Sequence, residues 1–516
     1  MRLLVVLLLV ASAAGAVATS STPSAAPATG WEPAVTLSRD GHPVGVVQAA
    51  LDGAGNGYAL WEEQVEAGCV QTRFGPPCPF VVRGAMRAGP RTWSPAVDLS
   101  AQGVLTGLRL AMSPSGHAVA GWKRLAGPAW LAEATRLRLG WEGAQQLSST
   151  FDGGPFGIAV DSAGAALAVW VSDVPNVLRA SFRPSAGVWS TAVELDRSPS
   201  LQSPTVSIDG AGNATAVWAA VDASGRSTLE TARRDAATGS WEAAMAVSRP
   251  GDLIVPTAVV SHAGRTVTVA WMRRDGGSES VEANVRDTAG TWTGPVTLAP
   301  STSSIGGLHL AVGAGGDAVA VWVARDGDAY VVHSSVRRAG DRAWGAPDAV
   351  SPPARTAFQP AVAVDTAGNA VAVWVGDDVV QTALRPAASR RWSAPTRLGP
   401  GVAPVVAIDP NGNGLAAWTS GSVRVSRLDG PAPSVTIVAP RRATSGRRVA
   451  LAARVLPWAP LAGAPRWRFG DGATARGRSV THRFRRVGVY RVSVTQTDVA
   501  GKTDTATVRI AIARPR

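Results

Sequence analysis

The stretch from Val362 to Trp374, VAVDTAGNAVAVW, sets the reading of the whole chain. Small and β-branched residues flank the turn Thr366-Ala367-Gly368-Asn369, and Gly-Asn tolerates the positive φ of a tight hairpin. The segment therefore predicts a β-hairpin whose second strand ends at Trp374. Its strands are apolar at odd and even positions alike, the pattern of a sheet covered on both faces. One hairpin cannot cover itself twice, so stacked copies are expected.

Copies are present. IAVDSAGAALAVW ends at Trp170, VSIDGAGNATAVW at Trp218 and VAIDPNGNGLAAW at Trp418. Weaker ones end at Trp61, Trp122, Trp271 and Trp322, and successive Trp lie 61, 48, 48, 53, 51, 52 and 44 positions apart. A second motif leads from Trp into a short strand, as in WEPAVTLS at Trp31, WSPAVDLS at Trp93, WEGAQQLS at Trp141 and WSTAVELD at Trp189. It returns as WEAAMAVS at Trp241, WTGPVTLA at Trp292, WGAPDAVS at Trp344 and WSAPTRLG at Trp392. The two series account for sixteen of the nineteen Trp, so the repeat explains their excess over Tyr and Phe.

Each unit holds four strand-like pieces, here AVAVD, AVAVWV, VVQTALRPA and WSAPTRLG. Tandem four-stranded units of this length predict a β-propeller. The Trp31 motif precedes any first strand, and the last unit stops after VRVSRLDG without a fourth. The N-terminal strand should therefore complete the last sheet and close the ring, which removes its open edges. That arithmetic gives eight blades over residues 31–430. Recurrence at fixed positions assigns the Trp rows to packing between blades, ahead of a series of sugar-binding platforms. Asp52, Asp161, Asp209, Asp365 and Asp409 are expected to bond nearby backbone in their turns. Calcium is the weaker reading for them, because adjacent carboxylates are missing.

Hydrophobic residues make up 46% of the 516 and charged ones 17%, which excludes a disordered or collagen-like chain. The formal charge of +13 is unevenly placed. Residues 434–516 hold sixteen Arg and Lys502 against Asp471, Asp498 and Asp504, a net +14, while the rest is near neutral. Lys123 and Lys502 are the only lysines, an Arg bias typical of a GC-rich bacterial genome. Met1-Arg2, the apolar run Leu3 to Val10 and the small residues after it predict a signal peptide over 1–18, then a flexible leader over 19–30. That run is shorter than the roughly 20 apolar residues of a spanning helix, so no membrane span is expected after cleavage. The expectation is a secreted, extracellular protein, associated with the cell envelope. Cys69 and Cys78, in EAGCVQTRFGPPCPF, should then pair in one local disulfide.

After Pro431 the spacing changes to that of a small antiparallel sandwich, in SVTIVAP, RRVALAARVL, PRWRFGDG, VTHRF, VGVYRVSVTQTD and ATVRIAI. Trp467-Arg468-Phe469-Gly470-Asp471-Gly472, Thr481-His482-Arg483-Phe484 and Gly488-Val489-Tyr490-Arg491-Val492 resemble the motifs of a polycystic kidney disease (PKD) domain. Arg468 stands where such domains usually carry Asp. The resemblance implies an immunoglobulin-like β-sandwich over 434–514, used as an extracellular interaction or spacer module. The fold expected is thus all-β, an eight-bladed β-propeller followed by an immunoglobulin-like PKD β-sandwich. Gly470 and Gly472 allow a tight turn there, with Asp471 bonding its amides and His482 a structural neighbour. Arg466 and Arg468, like Arg483 and Arg485, alternate along strands and are expected to share one solvated face. That face is either a soluble surface or a dock for an anionic polymer such as a wall polymer.

No catalytic or metal-binding motif occurs. H-E-x-x-H, G-x-S-x-G and Walker loops are missing, and the six His are scattered singly. The Asp-to-Gly and Asp-to-Trp spacings match neither the sialidase Asp-box nor the Trp-docking repeat of quinoprotein dehydrogenases. Tyr58 or Tyr330 would have to serve as a sialidase-like nucleophile. The expected role is binding or scaffolding without catalysis or cofactor, by a monomer whose partner is an extracellular protein or polysaccharide. The alternative is a carbohydrate-active hydrolase or lyase using a carboxylate pair, with Glu62-Glu63 and Asp377-Asp378 as candidates.

Overall fold

The computed structural model describes residues 30–67, 69, 78–88, 92–126, 129–137, 141–148, 154, 156–173, 176–261, 266–301, 304–353 and 356–515. The expected signal peptide and residues 19–29 of the leader lie outside the described residues. Every regular element described is a strand, and no helix is long and apolar enough to cross a membrane.

The strands form eight four-stranded antiparallel sheets, one three-stranded sheet and one five-stranded sheet among the described residues. The unit that opened the sequence reading becomes Ala357–Val364, Ala370–Gly376, Val379–Arg385 and Thr396–Pro400, hydrogen-bonded in that order. The first strand of each four-stranded sheet lies against the first strand of the next. Val44–Leu51, from the first sheet, also lies against Val402–Ile408 from the last, so the contacts run in a closed, propeller-like cycle. The last sheet takes its fourth strand, Val35–Thr36, from the N-terminus, with Val35 opposite Val425 and Thr36 opposite Arg424. Ser38 Oγ accepts from the Val423 amide at 2.9 Å, and Ser426 Oγ donates to the Glu32 carbonyl at 2.7 Å.

The turn chemistry differs from expectation in one detail. Gly368 has φ +84°, whereas Asn369 stays out of the left-handed region. Asn369 donates its side-chain amide to Asp365 Oδ2 at 2.6 Å instead. Asp365 Oδ1 meanwhile accepts from the amides of Ala367 and Asn369 at 2.8 and 2.9 Å. Asp52, Asp161, Asp209 and Asp409 accept amides two and four residues on in the same way. Backbone amides occupy Oδ1 in all five turns, and an Asn side chain meets Oδ2 at Asp52, Asp209, Asp365 and Asp409, which is turn formation. Burial pushes the Asp365 carboxyl up to about 6 against these hydrogen bonds.

All eight second-strand Trp, from Trp61 to Trp418, are at most 1% exposed. Each removes roughly 150–250 Å² from water, on the order of 4–6 kcal/mol gross. A polar side chain always faces such a Trp from the third strand, among them Glu133, Glu282 and His333. Trp122 and Trp271 donate their indole N–H to Glu133 and Glu282 at 2.8 and 3.1 Å, and Trp322 stacks on His333.

Seven of the first strands also shift register near their start. Ser203, Gln359 and Ala403 take φ of +46°, +51° and +51° at these bulges, which bend the strand and re-aim its later side chains. His309 comes just after one bulge, and burial pushes its imidazole down to about 4. Between that value and the ordinary value of about 6.5, only the unfolded chain takes the proton. Stability is therefore present above about pH 6.5 and falls as pH drops toward 4, on the order of 1–2 kcal/mol for a partly buried ring. His309→Gln should lose less Tm than the wild type between about pH 7 and pH 4.5. Parallel Tm curves would remove His309 as the cause.

The three-stranded sheet comprises Ser434–Val438, Arg448–Leu456 and Ser479–Arg483. It packs on the five-stranded sheet of Arg442–Thr444, Thr503–Ala513, Gly488–Thr497, Arg466–Arg468 and Thr474–Arg476. Trp467, Phe469, Phe484, Val492, Val494 and Ile510 fill the space between them. This sandwich docks on the ring through Trp458, which is 3% exposed and donates its indole N–H to the Gly412 carbonyl at 2.7 Å. Asn369 Nδ2 donates to the Trp458 carbonyl at 2.5 Å, and Lys502 pairs with Asp429 at 2.7 Å.

Candidate functional site

The motif residues of the C-terminal sandwich form one structural unit. Gly470 and Gly472 have φ of +82° and +91°, and a Cβ on Gly470 would come within 2.7 Å of the Arg491 carbonyl. Asp471 caps this turn at the Ala473 amide, 3.1 Å away, and meets His482 Nε2 at 2.7 Å. Burial alone would raise the Asp471 carboxyl, but these hydrogen bonds hold it below the usual range. His482 stacks on Phe469 at 3.9 Å and meets Phe484 edge-on. Trp467 donates to the Gly477 carbonyl at 2.8 Å, while Gly488 turns into the strand carrying Tyr490, whose hydroxyl donates to the Arg486 carbonyl at 3.0 Å. All of these polar groups are occupied by the fold itself. They position the sandwich rather than offer a site.

The single basic face expected from Arg466, Arg468, Arg483 and Arg485 is not formed. Arg466 and Arg468 lie in the five-stranded sheet, but Arg483 lies in the three-stranded one, opposite Arg448. The outer faces of a sandwich look in opposite directions, so the set divides. Arg485 comes after the Arg483 strand and is exposed. Alternation along a strand says which residues share a side, not which sheet the strand joins.

The five-stranded sheet gathers a larger set instead. Arg466 lies opposite Arg476 and Thr495, Arg468 opposite Thr474 and Ser493, and Arg491 opposite Arg509. Thr505 and Thr507 extend the same rows. Among the described residues, none of these five arginines has an ion pair, and no carboxylate alternates onto this outer side of the two long strands. Sequence spacing alone carried a signal for Arg491 and Arg509, each flanked by inward-facing apolar residues. The result is a row of guanidinium and hydroxyl groups facing water, suited to a chain of anions.

On the ring, the candidate carboxylate pairs are differently used. Glu62 and Glu63 are neighbours on one strand and so point to opposite faces. Glu63 is fully buried and accepts from Trp61 Nε1 at 2.8 Å, Arg83 at 3.1 Å and Arg39. Glu62 accepts from the Val46 amide at 3.3 Å, and burial raises its carboxyl. Asp377 and Asp378, with φ of +53° and +57°, are the two residues of a tight exposed hairpin turn. Tyr58 donates to Asp52 at 3.4 Å, and burial, then that negative charge, push its hydroxyl up to about 12. Tyr330 is exposed on its strand. Cys69 and Cys78 are bonded to each other, with Cα atoms 5.9 Å apart. No cluster of three metal-ligating side chains occurs among the described residues.

In comparison with known proteins, no curated protein matches the chain. Among solved structures it is similar to polysaccharide lyase Uly1, at 10% identity and TM-score 0.43 over 60% of this chain and 88% of that one. It is similar also to the Hadza microbial sialidase Hz136, at 12% identity and TM-score 0.37 over 77% and 94%. The PKD1 domain of Vibrio anguillarum Epp aligns at 27% identity and TM-score 0.15, over 16% of this chain and 98% of that one. The PKD domain model matches residues 430–512, the segment that holds the WRFGDG and GVYRV motifs and folds as the two-sheet sandwich, so this C-terminal part is a PKD domain.

Proposed function

We propose that this is a secreted binding or scaffolding protein of the bacterial cell envelope, acting without catalysis. In this reading residues 31–430 are a closed eight-bladed propeller that serves as an interaction platform. The PKD domain, over 434–514, anchors it to an anionic polymer of the wall. The supporting observation is the outer face of the five-stranded sheet, where Arg466, Arg468, Arg476, Arg491 and Arg509 stand among Thr and Ser without a carboxylate. A row of fixed positive charge binds a flexible polyanion chiefly by releasing its counterions, so affinity falls steeply with salt.

The test is pelleting of the full chain with purified teichoic-acid-bearing cell wall. Retention should fall more than tenfold between about 50 mM and about 500 mM salt, where the screening length shortens to a few Å. A variant with all five arginines changed to Ser should stay in solution at low salt. Retention that ignores both salt and this variant would exclude the anchoring role.

A further inference from the structure

The third strands of the eight four-stranded sheets end, in chain order, at Arg87, Leu137, Arg183, Arg234, Arg286, Arg337, Arg385 and Leu428. Each end faces the crevice toward the preceding sheet, into which that sheet sends the residue after its outer Trp. The two positions are matched in five of the eight crevices. Glu32, after Trp31, pairs with Arg87 at 2.8 Å, and Glu142, after Trp141, pairs with Arg183 at 3.4 Å. Glu242, after Trp241, acts on the charge of Arg286. Where Ser94 and Ser393 come after the Trp, the next sheet ends in Leu137 and Leu428. Arg234 has no such acid but lies 3.9 Å over the Phe182 ring, and Arg337 donates to Thr268 Oγ1 at 2.9 Å.

In three crevices the arginine is kept without the acid, and of these Arg385 alone has no substitute partner among the described residues. The residue after Trp344 is Gly345, so the acid is missing while the arginine is kept. Arg385 is only 9% exposed, yet its guanidinium makes no hydrogen bond or ion pair with a described residue. Asp317 and Asp348 act on it from beyond ion-pair distance, and Arg338 and Arg390 repel it. Its guanidinium lines the open crevice, where a carboxylate arriving from solvent can pair with it. The space is there. A cavity of about 400 Å³ is lined by Trp344 and Gly345, by Arg338, Arg385 and Arg390, and by Asp341 and Asp348, so the three arginines outnumber the acids. It runs into a cleft of about 870 Å³ that shares Arg338 and Arg390 and reaches Trp458 and Arg478 of the PKD domain. In the equivalent crevice at Arg87, Glu32 itself lines the cavity.

We infer that the crevice between the sixth and seventh sheets binds a carboxylate-bearing sugar, a uronate. Arg385 takes the carboxylate in the place that Glu32 and Glu142 fill elsewhere in the ring. Arg338 and Arg390 hold the hydroxyls or a second acid group, and Trp344 offers an apolar wall for the sugar ring. This site lies on the ring and does not depend on the arginine face of the PKD domain, so either can fail alone.

The experiment is calorimetric titration of the full chain with trigalacturonate, a neutral galactose trimer and inorganic sulfate. Trigalacturonate should bind more than tenfold tighter than either control. Arg385→Gln should lose more than tenfold in affinity. Gly345→Glu, which restores the internal partner, should lose as much while keeping or raising Tm, because an added Cβ meets only the Val336 carbonyl, at 3.4 Å. That second variant separates loss of the site from loss of the fold. Equal affinity for the neutral trimer, or sulfate binding as tight as trigalacturonate, would overturn the proposal. So would uronate binding that survives Gly345→Glu.

Discussion

Trp31→Ala will lower the stability of the whole chain by about 3–5 kcal/mol, the cost of removing a large buried aromatic. The size is unexpected from position, because Trp31 stands at the extreme N-terminal end of the described residues. Its importance comes from topology. Val35–Thr36 is the fourth strand of a sheet whose other three strands lie beyond residue 400. Trp31 is 2% exposed and shares one apolar cluster with Val371, Val380, Trp418 and Leu428. Its counterparts Trp93, Trp141, Trp189, Trp241, Trp292, Trp344 and Trp392 are only partly buried. Chemical denaturation should show a large drop in midpoint for Trp31→Ala and a smaller one for Trp241→Ala.

Truncation before Arg39 goes further. It strips the edge of Val423–Leu428 and removes Glu32, which serves Arg427 as well as Arg87. An uncovered strand edge templates pairing with other chains, so the truncated protein should associate with rising concentration. Equal midpoints for the two Trp variants, and a monomeric truncation, would mean that the N-terminal strand does not seal the ring.

What could be read from the sequence was what repeats as residue type. Trp at two fixed positions, and Asp with Gly three residues later, mark packing and turns whose physics admits few substitutes. The unaccompanied WEPAVTLS at Trp31 disclosed the sealing strand for the same reason, since a motif without its unit must belong to another. The bulges have no signature in the sequence because they carry different residues, Gly307, Gln359 and Ala403 among them. A bulge is a property of register between two strands, and no single side chain announces it. The arginine face is not legible from alternation, because pairing order among strands is decided in three dimensions. The Glu–Arg crevices were hidden for a related reason: each joins residues of neighbouring units, about forty to fifty-five positions apart.

Trp458 was one of the three Trp left outside both series, and its role leads to the second large effect. Gly412→Ala will undock the PKD domain. Gly412 is the glycine of the last first-to-second-strand turn, with φ +80°. A Cβ there would come within 2.3 Å of Trp458 Nε1 and 2.5 Å of its Cδ1. Gly212 occupies the same turn position in an earlier unit, at φ +85°, and its Cβ would meet only Ala236, at 3.4 Å. Gly212→Ala therefore carries the left-handed strain alone, about 1–2 kcal/mol. Gly412→Ala carries that strain and expels a buried Trp, a further cost of about 3 kcal/mol or more. The expelled ring also leaves the Gly412 carbonyl without its indole donor. Calorimetry should then resolve two transitions where the parent shows one, and Gly212→Ala should keep one. Proteases should cut the Gly412→Ala chain between the last ring strand, ending at Leu428, and the first PKD strand, starting at Ser434. If the two glycine variants behave alike, Trp458 is a contact of no consequence. If they differ as expected, the ring and the PKD domain present Arg478 and the arginine crevice as one rigid surface.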